Sequence, residues 1–137
     1  MDLRYLYVGA ADTDVELAAW LALPNAAMRW RFRRFGADVA CVDLGSRPFV
    51  LLADHRPNGS VLPIYAVADL AASTSALTGE GAGWHVHIGP LGTPEGDATV
   101  LRNASGFEIA ILQVDRPTQM EDAYAAPGND HAVRSES

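Results

Sequence analysis

Cysteine is nearly missing from this chain: Cys41 is the only one in 137 residues. A single thiol excludes an intramolecular disulfide and any thiolate cluster for zinc or iron–sulfur, and it fits a reducing compartment. Lysine is missing altogether. All ten basic residues are arginine, and seventeen acidic residues leave a net charge of −7. That shortage of positive charge argues against nucleic acid, whose binding needs clustered cations to displace phosphate counterions. No apolar run approaches membrane-spanning length, and the opening MDLRYLYVG lacks a basic stretch followed by a long apolar core. These absences predict a soluble cytoplasmic protein with neither a nucleic-acid nor a membrane partner. Aromatic residues make up 8% of the chain, few enough that where they fall carries information.

What the chain does contain is an internal repeat. RYLYVGA is followed by a helical pattern and three strand-like runs ending in RPFVLLAD; LPIYAVA is followed by the same order ending in GFEIAILQ. A uniform shift of 58 places Tyr7 on Tyr65, Phe49 on Phe107 and Leu52 on Ala110. Duplication at this scale fixes architecture before any single motif does. The alternation predicts strands over Arg4–Gly9, Met28–Phe35, Asp38–Leu44 and Pro48–Asp54, with a helix opened by the capping-box pattern Thr13-x-x-Glu16 and stopped at Pro24. The second half predicts a strand over Val61–Val67, a helix from Asp69 to Thr78, and strands near Trp84–Ile88, Asp97–Arg102 and Phe107–Val114. Gly89–Gly96 reads as a long hairpin loop and His55–Ser60 as the linker between halves. The fold class is α+β: two tandem β-α-β-β-β modules, about 3–56 and 61–114, forming a cup-shaped mixed sheet within a single domain over 1–115. Residues 116–137 read as a polar, flexible tail in which Met120 and Tyr124 offer docking groups.

VGAADTDVELAAW and NASGFEIAILQ, set in this duplicated order over about residues 3–114, resemble the vicinal oxygen chelate superfamily of glyoxalase I, extradiol dioxygenases and the fosfomycin- and bleomycin-resistance proteins. The resemblance implies a cavity between the modules and a homodimer. It also implies metal-ligand positions on the first and last strand of each module. In this chain they fall on Tyr5, Leu52 (or Leu51, one residue out of register), Pro63 and Ala110. Leucine, proline and alanine offer no donor atom, so the resemblance, taken residue by residue, implies no metal and no other cofactor.

The remaining candidates follow from residue chemistry. His85 and His87 stand two apart on one predicted strand, and Glu108 lies two before Ala110. They fit a strand's polar face, a set of hydrogen-bonding and acid–base groups, or, as a weaker third reading, the ligands of a displaced metal site. Tyr7 and Tyr65, equivalent under the repeat, are expected to face each other across the cavity with Tyr5 beside them; they either stack a ligand or fill space. Arg29, Arg31 and Arg33 alternate with Met28, Trp30 and Phe32, which makes either a solvated cationic row or an anion-binding one. GEGAG at Gly79–Gly83 leaves a helix and enters a strand, the wrong order for a phosphate loop.

Two functions are compatible with these residues. The first is metal-independent binding of an aromatic or polycyclic small molecule, as in bleomycin- and mitomycin-type resistance proteins. Tyr5, Tyr7 and Tyr65 would stack the ligand, Arg29, His85, His87 and Glu108 would supply polar recognition, and Leu52, Pro63 and Ala110 the apolar floor. The second is a metal-free tailoring enzyme of natural-product biosynthesis, a cyclase, dehydratase or isomerase, with His85, His87, Glu108 and Tyr65 as catalytic candidates.

Overall fold

The computed structural model describes residues 1–134. Each half runs β-α-β-β-β. The chain divides into two compact units: Tyr5–Val61 joined by the segment from Met120, and Leu62–Gln119 joined by Met1–Arg4.

The first unit is built on β1 (Asp2–Gly9), α1 (Thr13–Leu21), β2 (Ala27–Arg34), β3 (Ala37–Asp43) and β4 (Phe49–Ala53). Its strands lie in the order β2-β3-β4-β1, with β1 parallel to β4 and the other neighbours antiparallel. Helix α1 starts one residue earlier than the capping-box pattern suggests. Asp12 is the N-cap, accepting from the backbone N–H groups of Asp14 and Val15, while the Thr13 hydroxyl donates to the Asp38 carbonyl. Leu17 then packs on Ala40, Val42, Val50 and Leu52, with Val8, Trp20 and Met28 around them. Full burial of a side chain such as Leu52 contributes about 1.5–3 kcal/mol.

Strand β2 does not alternate evenly. Met28 lies opposite Val42 but Trp30 lies opposite Cys41, so β2 carries one extra residue there. Such a bulge turns every later side chain to the other face. The predicted single row of Arg29, Arg31 and Arg33 is therefore split. Arg29 stacks on Phe49, on the face away from α1. Arg31 reaches the other way, to Asp38 at 2.8 and 2.6 Å and to Asp14 of α1 at 2.8 Å, and Arg33 joins it on Asp38 at 3.0 Å. Trp30 packs against Phe32, which meets Tyr124 edge-on at 5.8 Å.

That contact brings in the end of the chain. The segment expected as a flexible tail contains α3 (Gln119–Ala125). Beyond it, Val133 N–H donates to the Arg31 carbonyl and Arg33 N–H to that of His131, so 131–133 borders the open edge of β2. The polar composition hid this arrangement, because its anchors are backbone groups and two side chains, Tyr124 and Glu121. Residues 135–137 of the expected tail lie outside the described residues.

The second unit contains β5 (Val61–Val67), α2 (Leu70–Thr78), β6 (Trp84–Thr93), β7 (Gly96–Asn103) and β8 (Glu108–Gln113), in the order β5-β8-β7-β6. Asp69 caps α2 through the Ala72 N–H. Leu70, Leu101 and Ile111 form the core beneath it, with Tyr65, Val67, Leu77 and Trp84 packed around them. The expected loop Gly89–Gly96 is mostly strand. β6 continues to Thr93 through register breaks on either side of Ile88, and Thr93 faces Gly96 across a tight turn. Gly89-Pro90 reads as a turn in sequence but marks a bulge, a place that tolerates both residues.

These irregularities make the repeat uneven. The two N-caps, Asp12 and Asp69, stand 57 apart. In the parallel pairs, however, Tyr7 lies opposite Leu51 and Ile64 opposite Ala110, so the path from first to last strand is two residues longer in the second module. The offset thus changes from 57 to 59, and a uniform 58 is one residue wrong at both ends.

Candidate functional site

With a period of two, an error of one residue exchanges the faces of a strand. The consequences fall on several expected site residues. Tyr65 shares the α2-facing core with Leu101 and Ile111, and it is Val8, not Tyr7, that occupies the matching place under α1. Tyr7 and Tyr65 are therefore on non-equivalent faces of their modules. Leu52 lies in the core under α1, so it is no part of an apolar floor; Leu51 is the residue on the helix-free face. Pro63 shares the face of Tyr65 by alternation. Ala110 is on the helix-free face, opposite Val100 and beside Ile64.

In the first module the face away from α1 gathers aromatic rings and guanidinium groups. Tyr5 and Phe49 are cross-strand neighbours whose ring centroids lie 6.1 Å apart. The Arg29 guanidinium sits 4.4 Å above the Phe49 ring. Two residues along β1, Tyr7 shares a hydrogen bond of 2.9 Å between its Oη and His55 Nε2. Arg56 lies 5.0 Å over the Tyr7 ring, and its Nε is buried without a hydrogen-bond partner. Burial pushes the Tyr7 phenol above its ordinary value, with the Arg56 charge pulling the other way, so Tyr7 stays protonated and able to donate. His55 and Arg56 come from the linker, which composition alone marked only as a turn. Their link to Tyr7 needed the strand face, not the motif.

In the second module, His87, Arg102 and Glu108 meet on the helix-free face. Arg102 donates to His87 Nε2 at 3.0 Å and to Glu108 Oε1 at 3.2 Å, while His87 and Glu108 stand 3.5 Å apart. Arginine is always a donor, so His87 Nε2 can take this bond only as an acceptor. His87 and Glu108 are thus both held by Arg102 and do not hydrogen-bond each other. His85 faces Arg102 across the β6–β7 pair. His87 and Glu108, both expected as polar site residues, meet through Arg102, which was not among the expected residues.

A groove of about 370 Å³ opens elsewhere in this module, at the start of α2. Asp69, Thr74, Val86, Pro90, Asp97 and Thr99 are among its lining residues, and none of the expected site residues is. It lies on the helix side of the sheet, whereas the polar and aromatic groups above lie on the other side.

The donor chemistry does not fit the metal site of the resembling family. The corrected register replaces Leu52 by Leu51 and Pro63 by residues of the Leu62–Ile64 face, none of which has a donor atom, and Ala110 has none either. Among the described residues no three His, Cys, Asp or Glu side chains are grouped to hold an ion. No helix among them is long and apolar enough to cross a membrane.

The element order and the faces together define the β-α-β-β-β fold of the vicinal oxygen chelate superfamily. Methylmalonyl-CoA epimerase from Mycobacterium tuberculosis is similar in structure at a TM-score of 0.66 and 18% identity, covering 85% of this chain and 89% of that one. An epimerase variant from Streptomyces coelicolor, in complex with 2-nitronate-propionyl-CoA, gives 0.67 and 12%, covering 84% and 95%. A methylmalonyl-CoA epimerase in complex with methylmalonyl-CoA and NH4+ gives 0.67 and 12%, covering 83% and 94%. No protein-family profile and no curated protein sequence matches the chain.

Proposed function

We propose that this protein binds an aromatic small molecule without a metal, on the face of its first module away from α1. The observation that carries the reading is the pair of rings Phe49 and Tyr7 with guanidinium groups stacked at 4.4 and 5.0 Å; Tyr5, expected to stack the ligand, is buried and backs Phe49 from within the core. Flat rings beside fixed cations offer stacking and cation–π contacts to a planar ligand. The Tyr7 hydroxyl, paired with His55, and the Arg56 guanidinium add polar groups nearby. Sequestration of a polycyclic compound, as in antibiotic resistance, is the biological role this chemistry suits, with a homodimer as the working assembly in the cytoplasm.

A second reading, a metal-free isomerase, cyclase or dehydratase of natural-product biosynthesis, is favoured by the likeness to epimerases and by the His87–Glu108 proximity. It ranks lower, because His87 Nε2 accepts from Arg102 and can take a substrate proton only after that bond breaks. One incubation tests both. The protein is mixed with a panel of aromatic and polyketide-type compounds, and complexes are read by native mass spectrometry, products by denaturing mass spectrometry. A compound bound and recovered unchanged supports the binder. A compound recovered rearranged or dehydrated without added metal replaces it with the enzyme.

A further inference from the structure

The first module already holds a carboxylate on its cationic–aromatic face, and that carboxylate belongs to the chain itself. Glu121 Oε1, on α3, accepts from Arg29 Nε at 3.0 Å and from Arg29 Nη2 at 2.8 Å. The same guanidinium stacks on Phe49 and reaches Asp43 at 3.3 Å. We infer that Glu121 occupies the anion seat of the ligand site, and that α3 is a displaceable strap which a carboxylate-bearing aromatic ligand replaces. The inference rests on the binding reading above and names the ligand class for it.

Two observations support exchange over permanence. Glu121 Oε2 is buried with no hydrogen-bond partner, so the seat is only half satisfied by its present occupant, and a buried acceptor left unmet is destabilising. Helix α3 has seven residues and no fully buried one, too short to persist without its docking contacts. Its docking contacts include Glu121 on Arg29, Tyr124 on Phe32, and the backbone bonds of 131–133 to the edge of β2. A ligand with a carboxylate next to a ring would satisfy Arg29 and cover Phe49 together, which Glu121 cannot.

The test uses the full chain with 2-naphthoate and its neutral analogue 2-naphthalenemethanol, measuring dissociation constants by calorimetry and hydrogen exchange over 119–134. The acid should bind more tightly than the alcohol and speed exchange in that segment. Glu121→Ala should tighten the acid about tenfold, the factor by which a site closed about nine-tenths of the time weakens its ligand. Glu121→Gln, which keeps the shape, should move affinity the same way, and Arg29→Met should abolish the preference for the acid. Equal binding of acid and alcohol, or unchanged affinity in both Glu121 variants, overturns the strap while leaving the binding reading intact. No binding of either compound to wild type or variants overturns both.

Discussion

At the scale of single residues, the strongest electrostatic commitment is Asp38, which is almost fully buried and takes hydrogen bonds from both Arg31 and Arg33. Burial opposes its charge, yet the arginine bonds, Arg31 first, outweigh it and hold the carboxyl below its ordinary value. Removing one partner of a buried pair leaves the other charge unmet, so Asp38→Ala should destabilise by about 3–5 kcal/mol in urea unfolding at neutral pH. The pH dependence has a definite sign. A carboxylate whose folded value lies below its unfolded one, about 3.9, stabilises fully above that pH and loses the contribution as pH falls through the folded value. Wild-type stability should therefore drop on acidification below about pH 4, and the Asp38→Ala variant should show a shallower drop. None of this was legible in the sequence, where Arg31 read as one of three equivalent cations. The bulge that singles it out has no signature among the alternating Met28–Phe35 residues.

At the scale of elements, caps and turns were easier to read than faces. Asp12 caps α1 with two backbone bonds, and Asp12→Ala should cost about 1 kcal/mol by thermal unfolding, with little change in fold. Gly9 ends β1 against the linker: its N–H donates to the Ser60 carbonyl, and a methyl group there would run into the Pro57 carbonyl. Gly9→Ala should destabilise by about 1–3 kcal/mol, the usual scale of overpacking, and circular dichroism melting would register it. Helices and strands could be located because Asp, Gly and Pro punctuate them by local chemistry. Which side of a strand faces the helix depends on counting by twos, and the extra residues in β2 and β6 break the count. Hence Tyr65 and Leu52 were assigned to the wrong face, and Tyr7 meets His55 and Arg56 instead of the expected Tyr65.

For the whole molecule, the repeated order was enough to name the fold, since it depends on element sequence and not on face. The function needed the faces. If binding uses rings and arginines, as proposed, exhaustive dialysis against EDTA should leave the affinity for any aromatic ligand unchanged, measured by calorimetry before and after. A loss of binding restored by a divalent ion would reject the metal-independent reading.

Cys41, at the middle of β3, has no exposed surface and faces Leu51 on one side and Trp30 on the other. A thiol so enclosed is inert until its strand opens. The chain therefore carries its own stopwatch: under native conditions, the rate at which an aromatic disulfide reagent colours on contact with Cys41 reports how often the first unit comes apart. Because no other cysteine competes, a second one introduced on α3 could be labelled selectively in the folded protein, leaving the native thiol silent as a control.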